Sequence, residues 1–408
     1  MQAFPHWQSG RTTDFWGLTR SRTYLDHNAT TPLRQEARAA MLSALDLCGA
    51  PSSVHADGRA VRKLVETARH GVADLVGALA KNVVFCASAT EANNLALNLD
   101  WQRPGKPPLR RMAVSSVEHA SVLNGVRPQN TELDLLPVDG NGVLDLGALE
   151  ARLAAWRECG ETGLVSVMLA NNETGVVQPV AEIAARVREA GSVFHCDAAQ
   201  AAGKIACFIN EIGADLLTIS SHKLGGPLGA GALVLASDGL HQPNALIRGG
   251  GQEKGLRAGT ENVPALAGFG AAARAAARDL AAYGQESLVL RSKLEKALRD
   301  ASPDIVLFGE GVERLPNTLN FAEPGMAAET TLIALDLEGI SVSSGSACSS
   351  GKVKVSHVLT AMGVAPALAG CALRVSLGRE TTVQEIEFFV AAWKRLRKNL
   401  HDRRHRAA

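Results

Sequence analysis

Residues 215–223 read DLLTISSHK, an apolar run that leads into two serines, a histidine and a lysine. The run predicts a strand over 215–219, and a Gly-Gly-Pro turn at 225–227 follows it. Lys223 is therefore expected at the carboxyl end of a strand, where ligands bind in open parallel sheets. A lysine held in an apolar pocket loses its proton readily and can form Schiff bases. Taken alone, the stretch also fits a surface lysine in a turn.

A second strand is predicted over 192–196, and Asp197 ends it. A carboxylate that faces a strand-end lysine across a sheet suits pyridoxal phosphate, because the acid pairs with the pyridinium nitrogen while the lysine holds the aldehyde carbon. His195, Cys196 and Asp197 are consecutive, so alternate side chains point to opposite faces and the three cannot share one metal ion. A simple buried strand is the alternative interpretation.

Further polar groups are expected at the same edge of the sheet. Residues 88–91, SATE, stand at a strand-to-helix junction, which favours either an anion such as phosphate or simple helix capping. His119 follows a strand near 112–114, where an imidazole can stack on a flat ring or serve structure. The polar cluster NNETG at 171–175 follows another strand. The stretch RGGGQEKG at 248–255 matches neither the dinucleotide nor the P-loop pattern.

The wider pattern alternates short apolar strands with Ala-rich helices, which predicts an α/β domain with a largely parallel sheet. Long helices are expected from 262 to 299. The remainder has a different rhythm and predicts a smaller α+β domain, in which TVQE at 382–385 is a capping box that opens the last helix. The predicted elements of this part are strands at 305–308, 317–321 and 373–377 and helices at 329–337 and 355–362.

Composition limits the class of protein. The chain has 408 residues, of which 46% are hydrophobic and 20% charged, and a formal net charge of +1, so neither nucleic acid nor another polyanion is an expected partner. It shows no long apolar run and no secretory signal, so no membrane partner is expected. Seven cysteines without C-x-x-C spacing favour a reducing, cytoplasmic location. The first 23 residues contain arginines and few acids, which weakly resembles a transit peptide, but Phe4, Trp7, Phe15 and Trp16 favour a docked or disordered extension.

Cys348 lies in the run SSGSACSSG at 343–351. Cysteine is usually a buried small hydrophobe, but the flanking glycines and serines favour an exposed, mobile segment. An accessible thiol on such an arm suits a nucleophile that must travel.

Together these motifs resemble the cysteine desulfurases of the NifS/IscS type, within the class V aminotransferases. The resemblance runs from Tyr24 to about Lys398. Each motif is weak alone, but the ordered set is specific. Its members are YLDHNATTP (24–32), SSVH (52–55), ATEANN (89–94), NNETG (171–175), DAAQ (197–200), SSHK (220–223), RAGT (257–260) and SSGSACSSG (343–351).

The resemblance implies a fold-type-I pyridoxal phosphate enzyme that forms a homodimer. It implies a large domain over 34–265 with a mainly parallel seven-stranded sheet. The small α+β domain then comprises 24–33 and 266–408 and carries a mobile cysteine loop at 343–353, while 1–23 form an N-terminal extension.

By the same resemblance, Lys223 is the Schiff-base lysine and Cys348 forms the persulfide. The other implied roles are as follows: Asp197 pairs with the pyridinium, Gln200 contacts the phenolic oxygen, His119 stacks on the ring and handles protons of the substrate thiol, Asn172 lies beside cofactor and substrate, Ala89, Thr90, Ser220 and His222 bind the phosphate with Thr260 of the other subunit, and Arg374 clamps the substrate carboxylate.

The implied reaction takes sulfur from L-cysteine, gives L-alanine, and supplies the sulfur for iron–sulfur cluster or other thio-cofactor assembly. The implied acceptor is an iron–sulfur scaffold protein or a sulfurtransferase. No resident metal is expected, although transient ligation of a cluster by Cys348 with a scaffold protein is allowed for. The extension before Tyr24 and the short tail after Leu400 depart from the IscS branch. The alternatives are a selenocysteine lyase, a small-amino-acid aminotransferase of class V, and a non-catalytic scaffold that uses Cys348 for binding.

Overall fold

A computed structural model of the chain describes residues 11–13, 19–125, 133–344 and 355–407. Cys348, and the aromatic residues Phe4, Trp7, Phe15 and Trp16, lie outside the described residues. Near the N-terminus, β1 (Arg11–Thr13) pairs antiparallel with β2 (Thr19–Ser21), and β3 (Thr23–Tyr24) follows. The extension therefore includes a short hairpin.

A central sheet of seven strands confirms the predicted α/β fold. The four parallel pairs join its middle strands to one edge, and only the tenth strand runs against its neighbours. The order across the sheet is β4-β10-β9-β8-β7-β5-β6. These strands are β4 (Val83–Cys86), β5 (Leu109–Ser115), β6 (Leu133–Leu136), β7 (Thr162–Ser166), β8 (Val193–Asp197), β9 (Leu216–Ser220) and β10 (Gly231–Leu235).

Successive residues of the sheet face two different cores. In β8, Val193 belongs to one buried cluster while Phe194 and Cys196 belong to the other. Because side chains alternate along a strand, His195 and Asp197 share the face of Val193. The predicted separation of Cys196 from its two neighbours is therefore confirmed.

Helices cover both faces of the sheet, as expected for parallel strands that are buried on both sides. The α-helices of this part of the chain are α1 (Gln35–Leu45), α2 (Ala56–Leu75), α3 (Ala89–Ala96), α4 (Ala120–Leu123), α5 (Leu146–Glu158), α6 (Val180–Glu189) and α7 (Ile209–Ile212). Two of these helices concern the site directly: α3, whose first turn follows the end of β4, and α4, which His119 caps.

The expectation of several long helices from 262 to 299 is wrong. One continuous helix of 39 residues, α8 (Val263–Ala301), occupies this stretch. Asn262 caps its start, and no proline interrupts it after the first turn, so nothing in the sequence breaks the helix. Its first half packs in the core of the large sheet through Phe269, and its end packs in a second core through Leu294 and Leu298.

The second core surrounds a three-stranded sheet in the order β11-β12-β14. Thr382 and Glu385 form the predicted capping box, because each side chain accepts a hydrogen bond from the backbone N–H of the other, at 3.2 and 2.9 Å. The elements of this part are β11 (Val306–Leu307), β12 (Thr318–Ala322), α9 (Ala328–Leu337), β13 (Ile340–Ser341), α10 (His357–Ala361), α11 (Pro366–Ala369), β14 (Ala372–Ser376) and α12 (Val383–Ala407).

Two further pairings bring the N-terminal segment to this second core. The strand β13 pairs in parallel with β3, and Asp26 forms an isolated bridge with Ser376. The segment 24–32 therefore lies between the small sheet and the edge of the large one. Among the described helices, none is both long enough and apolar enough to cross a membrane.

Candidate active site

Lys223 lies where the sequence predicted, just beyond the carboxyl end of β9. A single helical turn, Ser221–Lys223, follows the strand. Its Nζ donates a hydrogen bond to the carbonyl oxygen of Asn28 and another, of 2.8 Å, to that of Ala29. Burial and, to a smaller extent, the nearby Arg374 cation lower the pKa of Lys223 to about 8, against the opposing effect of the carboxylates of Asp26 and Asp197. The free amine is thus accessible near neutral pH.

Asp197 ends the adjacent strand β8 and is only 6% exposed. Its Oδ1 accepts a hydrogen bond from the backbone N–H of Ala199 at 2.9 Å. Its Oδ2 accepts one from Asn93 Nδ2, on α3, at 2.7 Å. A buried carboxylate held by two donors is fixed in orientation, and its remaining lone pairs are free for a further donor.

A row of polar side chains crosses the sheet beneath Asp197. His195 Nδ1 lies 2.8 Å from Ser166 Oγ on β7, and His195 Nε2 lies 3.0 Å from Thr218 Oγ1 on β9. Burial lowers the pKa of His195 to about 4, so the imidazole is neutral at pH 7. The row places a neutral, fully hydrogen-bonded layer under the carboxylate.

The first turn of α3 forms the other end of this edge. Ser88 caps the helix by accepting from the N–H of Glu91 at 3.1 Å. The amides of Ala89 and Thr90 have no acceptor among the described residues. Gly231 of β10 permits this arrangement, because a Cβ there would lie 2.7 Å from the nitrogen of Ala89. Two free amides at a helix start suit an anion.

Two predicted residues lie at the end of β9, next to Lys223. Ser220 is 2% exposed and ends the strand. His222 Nδ1 lies 3.1 Å from Thr30 Oγ1. Burial, together with the Lys223 cation, lowers the pKa of His222 to about 4, so this ring is neutral as well.

Arg374, on β14, is 2% exposed and is held by two partners. Its Nη2 pairs with Asp26 Oδ1 at 2.6 Å, and its Nη1 donates to the carbonyl of Asn172 at 2.9 Å. Its buried Nε has no hydrogen-bond partner among the described residues. A buried donor without an acceptor is costly, so a group that accepts from Nε, such as a carboxylate, fits this position.

The loop 171–175 carries Asn172 beside this arginine. Asn171 shapes the loop, because its Oδ1 accepts from the N–H groups of Glu173 and Thr174 at 2.9 and 3.0 Å. His119 caps the short helix α4 by accepting from Ser121 N at 3.1 Å, and its side chain is exposed. An exposed ring at this edge is free to meet a flat ligand.

Gln200 is buried near the same centre, and Thr260 is not. Gln200 Nε2 donates to the carbonyl of Asn28 at 2.9 Å. Thr260 is exposed on the segment after 248–255. That segment is tied to the rest of the chain by Glu253, whose carboxylate is bound by Arg69 at 2.6 and 2.8 Å. The fold therefore brings together all the described candidates except Thr260, which faces outward.

Both described ends of the segment that contains Cys348 are attached to site residues. Ser343 pairs through its backbone with Arg374, at 3.1 and 2.6 Å. On the other side, Ser356 Oγ donates to Glu173 Oε2 at 2.5 Å, and His357 Nε2 lies 2.9 Å from the carbonyl of Glu118. Residues 345–354 themselves lie outside the described part of the chain.

Four residues of the site received no role from the sequence: Asp26, Asn28, Asn93 and Lys204. Asp26 and Asn28 lie in YLDHNATTP and Asn93 in ATEANN, so their motifs were visible. Their partners were not, because each contact joins segments that are more than 100 residues apart. Lys204 had no signal, since a lysine within an apolar stretch is usually exposed.

Comparisons with known proteins decide the family. The model of the class V aminotransferase family matches residues 23–389. Cysteine desulfurase 2 of Trichormus variabilis is 42% identical over 368 residues, which cover 89% of this chain and 90% of the relative. Cysteine desulfurase IscS of an Anaeromyxobacter species is 41% identical over 376 residues, 90% of each chain.

The chain belongs to the cysteine desulfurases of the class V aminotransferase family. The solved structure of a NifS-like protein from Rickettsia africae superposes with a TM-score of 0.83 at 35% identity, over 92% of this chain and 99% of that one. The predicted family, fold class and enzyme type are therefore confirmed, as is dependence on pyridoxal phosphate.

The residues of this cysteine desulfurase fit that cofactor. The free amides of Ala89 and Thr90 suit a phosphate, the Asp197 carboxylate suits a protonated ring nitrogen, and the Lys223 amine suits an aldehyde. A resident metal has no comparable support. No group of three or more His, Cys, Asp or Glu side chains is placed to hold a metal ion within the described ranges.

Proposed function

We propose that this cysteine desulfurase takes the sulfur of L-cysteine onto Cys348 and releases L-alanine. The observation that carries the proposal is the placement of Lys223 and Arg374 on either side of Asn28 and Asn172, which suits a small amino acid held by its carboxylate. In this proposal Arg374 receives the carboxylate through its Nε–H.

Pyridoxal phosphate, when bound, supplies the electron sink for the Cα carbanion of the substrate. We assign its ring nitrogen to Asp197, its ring face to His119 and its phenolic oxygen to Gln200. Asn93 supports Asp197 as a hydrogen-bond donor. The residues that we assign to its phosphate are Ala89, Thr90, Ser220 and His222, with Thr260 of a second subunit.

Lys223 acts as the base in this proposal. Its pKa of about 8 leaves a substantial share of neutral amine near neutral pH, and a neutral amine can accept the Cα proton. The carbonyls of Asn28 and Ala29 hold the amine in place. His119, at the exposed side of the edge, handles the proton of the substrate thiol.

The net group transfer balances without a further reagent. The Cβ–S bond of cysteine breaks and an S–S bond to Cys348 Sγ forms, while the carbon skeleton gains a proton and leaves as alanine. The transferred sulfur is oxidised to the persulfide level, and Cβ is reduced to a methyl group by the same electron pair. Cys348 must attack as the thiolate.

We also propose a homodimer and a protein acceptor for the persulfide sulfur. The exposure of Thr260 supports the dimer, since an exposed side chain is available to the site of a second subunit. The candidates for the acceptor are an iron–sulfur scaffold protein and a sulfurtransferase.

The test compares Cys348→Ala with Cys48→Ala as a matched control, because Cys48 is an exposed cysteine to which no role is assigned. Purified holoenzymes receive L-cysteine and a reducing agent, and alanine and sulfide are measured. Cys348→Ala is expected to keep the cofactor chromophore and lose sulfide release, while Cys48→Ala retains both. Full sulfide release by Cys348→Ala would contradict the proposal.

A further inference from the structure

Lys204 lies in the core behind Lys223 and has no part in the assignments above. It is 4% exposed, which is rare for a lysine. Its Nζ donates one hydrogen bond of 2.7 Å to Asn28 Oδ1 and another of 2.7 Å to Gln200 Oε1. These two short bonds to buried amide oxygens satisfy two N–H groups of the Lys204 amine.

These two bonds fix the orientation of both amides. Because Lys204 donates, the oxygens of Asn28 and Gln200 face it and their NH₂ groups face away. Asn28 Nδ2 then donates to Thr318 Oγ1 at 2.9 Å and to the carbonyl of Asn172 at 3.3 Å. Gln200 Nε2 donates to the carbonyl of Asn28 at 2.9 Å.

Asn28 therefore connects the Lys223 amine with the Arg374 guanidinium. Its own carbonyl oxygen accepts from Lys223 Nζ. Its side chain reaches the Asn172 carbonyl that also accepts from Arg374 Nη1 at 2.9 Å. Lys204 therefore holds Asn28, whose carbonyl oxygen contacts the Lys223 amine. The side chain of Asn28 also contacts the Asn172 carbonyl, to which Arg374 donates.

The charge state of Lys204 agrees with this geometry. Burial lowers its pKa well below the ordinary value, and the Lys223 and Arg374 cations add to the effect. A cavity lined by His27, Lys204, Lys223 and Tyr283 adjoins the amine. The lowered pKa favours the uncharged amine at Lys204, which limits the positive charge beside Lys223 while the two hydrogen bonds orient the amides.

We infer that Lys204 is a positioning residue, which holds Asn28 so that the Lys223 amine and the Arg374 guanidinium keep their relative places. The inference rests on the proposed function, since it takes Lys223 as the base and Arg374 as the carboxylate clamp. It adds a residue that touches neither substrate nor cofactor and acts through Asn28 and Gln200.

The test uses holoenzymes that carry Lys204→Met or Arg397→Met. Methionine matches the length of lysine and removes both donors. Arg397 is the matched control, because it is a partly buried cation with two partners, Glu323 and the carbonyl of Ala301, in the second core. Three readouts are taken: kcat and KM for L-cysteine, the pH midpoint of the absorbance of the bound cofactor, and thermal stability.

Lys204→Met is expected to lower kcat by about tenfold, which corresponds to the loss of one buried hydrogen bond at the reacting group. The pH midpoint of the absorbance is expected to move by at least about 0.5, because the Lys223 environment changes. Arg397→Met is expected to change stability without moving either quantity. Wild-type kcat and midpoint in Lys204→Met, or equal shifts in a control of equal stability, would overturn the inference.

Two further measurements keep the outcome decisive. If Lys204→Met does not fold, Lys204→Gln takes its place, since glutamine retains one N–H donor group. The pH midpoint of the cofactor absorbance in this variant is then compared with the wild-type value. If wild-type holoenzyme forms no alanine from cysteine, the proposed function fails, whereas the absorbance midpoint of the variant still tests the role of Lys204. The two failures are therefore distinguishable.

Discussion

Asn93 Nδ2 donates a hydrogen bond of 2.7 Å to Asp197 Oδ2, and so ties the first helix after β4 to the end of β8. Asn93 is fully buried, and its Nδ2 also donates to Ser121 Oγ at 2.8 Å. Because the donor is buried and the acceptor is a carboxylate, this bond belongs to the stronger class of hydrogen bonds. It gives the carboxylate a fixed direction before any ligand arrives.

Replacing Asn93 with leucine should therefore weaken catalysis without removing any proposed catalytic group. Loss of a hydrogen bond to a charged group corresponds to about 1.5–3 kcal/mol, or about 10- to 100-fold in kcat/KM. Steady-state kinetics and the cofactor absorbance spectrum of Asn93→Leu would measure this. Asn98→Ala is the control, since both hydrogen bonds of the Asn98 side chain, to the carbonyl of Asn244 and from the N–H of Asp100, are exposed. Unchanged kcat/KM in Asn93→Leu would show that the bond is dispensable.

Arg374→Gln should raise KM for L-cysteine more than it lowers kcat. The substitution removes the free Nε–H and the charge that we assign to the substrate carboxylate. The expected loss in kcat/KM is about 100-fold, as for the loss of a buried charge-assisted hydrogen bond. The cofactor absorbance should remain, because no cofactor contact is assigned to this residue.

Arg299→Gln serves as the control for that experiment. Arg299 pairs with Glu310 on the surface, so the same chemical change there should leave both kinetic constants as they are. A normal KM in Arg374→Gln would place the substrate carboxylate elsewhere.

The depressed pKa of Lys223 predicts how the apoprotein takes up its cofactor. Only the neutral amine attacks an aldehyde, and the folded-state pKa is about 8 against an ordinary value of 10.5. The rate of chromophore formation on addition of pyridoxal phosphate should rise about tenfold per pH unit below 8 and level off above it. Stopped-flow absorbance measures the profile. Both pH 9 and pH 10 lie above the pKa of about 8, so a rate that still rises between them would contradict the prediction.

His195 predicts an acid-dependent loss of stability. Its folded-state pKa is about 4 and its ordinary value is 6.5. Between these pH values the unfolded chain therefore binds more protons than the folded protein does. The free energy of unfolding should therefore fall as the pH drops from about 6.5 towards 4, with about 3 kcal/mol from this group. Urea unfolding at a series of pH values measures the slope, which His195→Gln should reduce. An equal slope in the variant would refute the prediction.

The sequence predicted the architecture well because its periodic signals are local. Strand ends at Asp197 and Ser220, the helix start at 88–91 and the capping box at Thr382 all follow from residues that are neighbours in the chain. The single helix Val263–Ala301 was the exception, since a change of packing partner along a helix leaves its periodicity intact. The proposed domain boundary at 265–266 remains a prediction.

The polar network of the site was less accessible to sequence analysis. The bonds from Lys204 to Asn28 and from Arg374 to Asp26 join residues 176 and 348 positions apart. Their existence depends on how the small sheet meets the large one, which no local pattern encodes. The resemblance implied roles for the individual site residues, but it did not show the contacts that hold them in place.

The most direct test of the account is to find where the sulfur goes. Wild-type holoenzyme is mixed with one equivalent of ³⁵S-labelled L-cysteine in the absence of reducing agent, digested without reduction, and analysed by mass spectrometry. The account predicts one added, labelled sulfur atom on the peptide that contains Cys348, together with one equivalent of alanine. Alanine formation with the label on another cysteine, or on none, would contradict it.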